Sequence, residues 1–243
     1  MKFRTFAGLF ALGGLLVPCR AEEPWQGQFG SLLAKYVTPT GVRYSAWKAN
    51  ASDLQTLQAI TDQITARGPS SSDKNSELAY YINAYNAWIL RGVLERYPIK
   101  SVADIAPLFG FFFQKRITVA GQRTSFDKLE KTIRDPRYNE PRIHFALNCA
   151  SRSCPPLRAF AYSAVKLDQE LDQNTKAYVR NNPYGLQVVD QEYRLSKIFD
   201  WYKKDFGPVG GVVTFINRYR EPKMPTDAKI TYQEYNWSLN DSK

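Results

Sequence analysis

Glu77-Leu-Ala-Tyr-Tyr-Ile-Asn-Ala-Tyr-Asn-Ala-Trp-Ile-Leu-Arg-Gly-Val-Leu-Glu-Arg-Tyr97 decides how this chain folds. Leu78, Tyr81, Ile82, Tyr85, Trp88, Ile89, Val93 and Leu94 recur at helical spacing and cover much of the circumference. A helix apolar on most sides must be central and buried. Pro98 cannot continue it. Two amides interrupt the pattern, Asn83 and Asn86, one turn apart and pointing in similar directions. A buried amide must find partners, so each either clamps neighbouring backbone or lines a polar cleft. Satisfaction of the amide favours the clamp.

Shorter elements flank this helix. Residues 25–37 and 53–66 carry helical apolar spacing, the second through Leu54, Leu57, Ile60 and Ile64. Residues 114–119 and 122–124 read as a hairpin around Ala120-Gly121. Ser125 then caps a short helix over 126–134 that carries Glu130. Residues 166–180 read as a helix and 186–195 as a second hairpin. Ser196 caps a helix over 197–206, residues 209–218 follow as another, and 229–239 form a last strand. Alternation over Arg142 to Asn148 predicts a strand. It has Ile143, Phe145 and Leu147 on one face and His144, Ala146 and Asn148 on the other. No Gly/Ser/Pro-rich linker, internal repeat or low-complexity tract divides the chain. The expectation is one α+β domain over 22–243, its central helix packed on a small sheet with hairpins.

The first residues read as a secretory signal. Lys2 and Arg4 precede an apolar run from Phe6 to Val17 that is short for a membrane span. Cys19-Arg20-Ala21 places small residues where a signal peptidase reads, so residues 1–21 are the expected signal, cleaved after Ala21. Acylation of Cys19 is the rival, but Pro18 suits a lipoprotein signal poorly. Cleavage would remove three positive charges and no acid, so the net charge of +10 becomes +7. A basic protein outside the cytoplasm meets anionic envelope components more readily than nucleic acid. Its Lys and Arg residues are scattered, which fits a solvated surface. No other stretch is long and apolar enough to cross a membrane as a helix.

Beyond the signal, the only histidine and the only two cysteines fall in one run, His144-Phe-Ala-Leu-Asn-Cys149-Ala-Ser-Arg-Ser-Cys154-Pro-Pro-Leu157. An oxidising compartment and an even cysteine count favour a Cys149–Cys154 disulfide. A second reading makes Cys149 a nucleophile. His144 would lower its pKa, Glu130 or Asn148 would orient the imidazole, and the Ala150 and Ser151 amides would hold an oxyanion. A zinc site is disfavoured because the spacing matches no usual ligand pair. Redox exchange is disfavoured because Cys-x4-Cys is not Cys-x-x-Cys. No cofactor or metal is called for.

Several segments together carry a resemblance. They are Tyr81-Ile-Asn-Ala-Tyr-Asn-Ala87, Ser125-Phe-Asp-Lys-Leu-Glu130, Asp135-Pro-Arg137, the His144–Leu157 run, Leu195 to Phe206, and Tyr235-Asn-Trp-Ser-Leu-Asn240. The chain resembles the family catalogued as domain of unknown function 547, in its secreted bacterial form. The resemblance spans nearly all of the chain after the signal and implies no established activity. Two departures stand out: Glu130-Lys131 where the family usually has Glu-His, and Tyr235-Asn236-Trp237 where it often has Tyr-Asp-Trp. If either missing residue serves catalysis in relatives, the resemblance implies that this member is weak or inactive.

If a pocket exists, Asn83, Tyr85, Asn86, Glu130, His144, Asn148 and Ser151 are expected around it. Two functions stay open: an envelope binding or scaffold module stapled by Cys149–Cys154, and a Cys/His-dependent hydrolase or acyl transferase acting on envelope peptides or amides, with Cys149, His144 and Glu130 catalytic. The substrate, partner and oligomeric state are not legible in the sequence.

Overall fold

A computed structural model describes residues 23–70 and 72–242. The expected signal, its cleavage site and Cys19 lie outside the described residues. The fold is a single compact α+β domain, rich in helix, with three small sheets among the described residues.

Lys74–Arg96 forms the central helix, α4 in chain order after α1 (Pro24–Tyr36), α2 (Tyr44–Lys48) and α3 (Ala51–Ala66). Asp73 caps α4 by accepting from the Asn75 and Ser76 amides. Nearly every residue from Leu78 to Leu94 is buried. It packs between α3 and α6 (Phe126–Ile133), and α3 packs on α1. The short α5 (Gly110–Phe113) lies against α4 at Gly92, where an added Cβ would meet the Phe111 ring at 2.6 Å. Glycine is required there by the close approach.

The strands are local. β1 (Val37–Thr38) and β2 (Gly41–Val42) form one hairpin, and β3 (Ile117–Val119) and β4 (Gln122–Thr124) another. β5 (Leu186–Val189) pairs antiparallel with β6 (Glu192–Leu195), and β7 (Ile230–Tyr232) joins β6 in parallel. Helix α7 is Leu167–Asn181, α8 is Lys197–Trp201 and α9 is Gly211–Ile216. Beyond β7 the chain does not continue as the single strand expected over 229–239. It makes isolated bridges from Ser238 to Ser101, from Leu239 to Ser151 and from Asp241 to Val42.

One expectation is overturned. Residues 142–148 are not a strand, and no sheet lies beneath α4 there. Pro141–Phe145 is a 3₁₀ helix. Pro141 opens it and the Glu140 carboxylate caps it by accepting from the Arg142 amide. The alternation misled because Ile143, His144 and Phe145 are all buried. A segment enclosed on every side carries no periodicity that separates strand from helix. It threads between two apolar clusters: Ile143, Ala146, Leu147 and Ala150 join the core around α4. Phe145 joins a second core with Tyr178, Phe199, Phe206 and Phe215.

Candidate functional site

The loop from Asn148 to Pro155 is held by a set of specific hydrogen bonds. Asn86 on α4 donates to the Ala146 carbonyl and accepts from the Asn148 amide, both at 2.9 Å. The Asn148 side chain accepts from the Ala150 amide at 2.9 Å and donates to the Pro155 carbonyl at 2.8 Å. The C-terminal segment closes the other side, with the Arg152 amide donating to the Ser238 carbonyl and the Asn240 amide to the Ala150 carbonyl. Ala150 sits at φ 61°, the left-handed region that alanine rarely occupies. Such strain persists only where the surroundings over-determine it, and it concentrates at functional sites.

This loop brings the two cysteines together. Both are free, with their sulfurs 2.7 Å apart, beyond the about 2.05 Å of a disulfide. The expected bond is therefore not formed here, although contact of the sulfurs leaves little movement between dithiol and disulfide. The Cys149 sulfur also lies 3.1 Å from the Ser151 hydroxyl and 3.3 Å from the Tyr235 hydroxyl. The Cys149 amide donates to the Cys154 sulfur at 2.8 Å. Burial would push the Cys149 thiol up, but hydrogen bonds from Cys154, Ser151 and Tyr235 outweigh it and bring its pKa to about 7. Cys154 is pushed well above the usual range by burial and by the neighbouring Cys149. The pair is thus asymmetric: Cys149 ionises first and Cys154 holds its proton.

Both cysteines border a cavity of about 370 Å³, within the range of small-ligand sites. Its walls are aromatic, formed by Phe109, Phe112, Phe113, Trp201, Tyr235 and Trp237. Phe109 and Trp237 pack together, ring centroids 4.7 Å apart. A polar end is built by Asp127, Glu130, Arg134 and His144.

His144 serves that polar end and not the cysteines. Its Nε2 lies 2.8 Å from an Asp205 oxygen, and its ring stacks on Tyr202 at 4.0 Å. Arg134 grips the same carboxylate through Nε at 2.7 Å and Nη2 at 3.1 Å. Burial lowers the His144 pKa, with Asp205 opposing it, so the ring is neutral and Nε2–H is the donor. For Asp205, burial would raise the pKa, but His144 and Arg134 outweigh it and hold the carboxyl well below its usual range. The Glu130 carboxyl is raised by burial, against a hydrogen bond from the Tyr202 hydroxyl. Among the described residues no hydrogen bond joins His144 to Cys149.

Tyr85, Glu130 and His144 line the cavity as expected. Asn83, Asn86 and Asn148 do not. Asn83 donates to the Tyr162 carbonyl at 2.7 Å and accepts from the Tyr162 amide at 2.9 Å, so the amides are backbone clamps. Ser151 lies behind Cys149 rather than in the cavity. The orienter of His144 is Asp205, not Glu130 or Asn148. The Ala150 amide is consumed by Asn148, so the expected oxyanion pair is incomplete. The sequence reading does not name Trp201, Tyr202 and Asp205 as site residues; their signal is the Leu195–Phe206 segment of the resemblance, where aromatics stand beside charged residues. At the two family departures, Lys131 pairs with Asp127 at 2.7 Å, and the Asn236 side chain accepts from the Ser238 amide at 3.0 Å. Among the described residues no three His, Cys, Asp or Glu side chains are placed to hold a metal ion, and no helix is long and apolar enough to cross a membrane.

Residues 69–179 match the family model described as protein of unknown function, DUF547. The matched stretch holds α4, α6 and the whole cysteine loop. The DUF547 match ends before Trp201, Tyr202, Asp205, Tyr235 and Trp237, which complete the cavity. No curated protein and no solved structure matches the chain.

Proposed function

We propose that this protein is a thiol–disulfide exchange catalyst acting outside the cytoplasm, with Cys149 as attacking thiolate and Cys154 as resolving thiol. One observation carries the reading: Cys149 is half-buried at the cavity floor, close to a buried Cys154, with neutral donors holding its pKa at about 7. An attacking thiol works best with a pKa near ambient pH, and a second thiol within reach is what releases the mixed disulfide. Cys149 attacks one sulfur of a substrate disulfide. That S–S bond breaks, and the leaving thiolate takes up a proton. Cys154 then attacks the Cys149 sulfur, its own proton passing to the second substrate thiolate. The substrate gains two electrons and the pair becomes a Cys149–Cys154 disulfide, which a dithiol reductant reopens. The signal-like first residues support an extracytoplasmic setting.

The hydrolase reading is less well supported, since among the described residues no hydrogen bond joins His144 to Cys149 and the Ala150 amide is taken. A scaffold role would leave the pair as an inert staple. Equilibrating the protein in redox buffers, trapping free thiols and reading the mass gives the potential. Exchange catalysts fall at about −270 to −120 mV, and a value below about −300 mV would sink the proposal in favour of a staple.

A further inference from the structure

We infer that the cleft selects peptide disulfides whose cysteine has an aromatic neighbour and lacks a nearby acid; this rests on the exchange reading above. The walls leading to the Cys149 sulfur are aromatic, with polar groups confined to one end. Trp201 stands 4.8 Å from Tyr235 and 6.0 Å from Trp237, forming a continuous aromatic wall. Stacking on such a wall favours a planar side chain over a small aliphatic one. Among the lining residues Phe113 is 55% exposed and Trp201 48%. Large apolar groups left in water beside a reactive sulfur mark a contact surface for a polypeptide rather than the closed socket of a small molecule. Leu108 and Phe109 adopt φ of 52° and 56°, a two-residue left-handed turn that sets Phe109 on Trp237 and leaves Leu108 outside.

Charge gives the second half of the selection. Asp127 and Glu130 lie at the polar end, and the nucleophile is itself an anion when it reacts. The cation at that end, Arg134, is committed in a two-pronged bond to Asp205 and stacks on Tyr202 at 4.7 Å. His144 is neutral by burial. The cations beside this end are paired, Arg134 with Asp205 and Lys131 with Asp127 at 2.7 Å, so an acid next to the substrate cysteine gains no free partner from them and meets the anionic Cys149.

The test uses four disulfide-linked dimers: acetyl-Phe-Cys-amide, acetyl-Ala-Cys-amide, acetyl-Lys-Cys-amide and acetyl-Asp-Cys-amide. Each rate of oxidation of the reduced protein is divided by that dimer's rate with a simple monothiol, which cancels differences in the leaving sulfur, so the ratio reports the cleft. The Phe dimer should react roughly tenfold faster than the Ala dimer, and the Asp dimer about threefold slower or more. Trp201→Ala should pull the Phe-to-Ala ratio toward one. Phe113→Ala, at a more exposed position, should do so too and guards against a folding failure of the first variant. Glu130→Gln should narrow the gap between Asp and Ala dimers. Equal rates for Phe and Ala dimers would overturn the selection while leaving the exchange reading intact. Failure of all four dimers, including Ala, would overturn the exchange reading itself.

Discussion

His144 Nε2 lies 2.8 Å from Asp205 Oδ2, and that contact takes the imidazole away from the cysteine beside which the sequence places it. A histidine five residues before a cysteine suggests a thiolate–imidazolium pair. Here the ring is buried, stacked on Tyr202 and bonded to a carboxylate already shared with Arg134. His144→Ala should therefore leave the pH dependence of Cys149 alkylation nearly unchanged. It should lower stability instead, by about 2 kcal/mol or more from lost packing and an orphaned bond. A Cys149 pKa raised by a unit or more in this variant would restore the Cys–His pair.

Cys149 owes its acidity to neutral donors, and its nearest is Cys154. Its alkylation by iodoacetamide should rise with pH through about 7 and level off above. Removing the strongest donor in Cys154→Ala should raise that midpoint by roughly a unit. Tyr235→Phe should move it the same way and less, since the hydroxyl is 3.3 Å away. An unshifted midpoint in Cys154→Ala would show that the two sulfurs do not share a proton.

Asn83 bonds both backbone groups of Tyr162 across the core. Asn83→Leu leaves both unpaired in a buried setting and should cost about 1–3 kcal/mol in denaturant unfolding. The Cys149 alkylation rate should stay within about twofold, because Asn83 does not border the cavity. An unchanged midpoint of unfolding would mean that water replaces the clamp.

The Arg134–Asp205–His144 cluster makes the fold sensitive to acid. The Asp205 carboxyl is held below its usual range in the folded chain, so its contribution is present above the unfolded pKa of 3.8 and is lost as pH falls below it. His144 is held below its unfolded value of 6.5, so the unfolded chain binds its proton first and stability falls as pH drops below 6.5. Both work in the same direction. Unfolding free energy should decline from about pH 6.5 downward. Asp205→Asn should cost about 1–3 kcal/mol at neutral pH and flatten the steep part below about pH 4. A flat stability profile from pH 7 to 4 in the unaltered chain would contradict the cluster's role.

Much of the architecture was legible because it is local. The period of Leu78 to Leu94, the stop at Pro98, the Ser125 and Ser196 caps and the turn at Ala120-Gly121 each act within a few residues and each appears, although the helix after Ser196 ends at Trp201 rather than at 206 and the first hairpin strand starts at Ile117 rather than at 114. The clamp role of Asn83 was also legible, since an amide on an apolar helix must be satisfied wherever it lands. Residues 142–148 were not, because burial on all sides erases the periodicity that tells strand from 3₁₀ helix.

Sequence alone places every histidine and cysteine of the described residues in the His144–Cys154 run. Only the tertiary structure decided how those groups are partnered. Asp205 reaches His144 from 61 residues away, and Tyr235 reaches Cys149 from 86. Such pairings are fixed by how the second core and the C-terminal segment pack around the loop. Proximity along the chain says nothing about them, because a side chain's acidity and reach are set by what surrounds it in space.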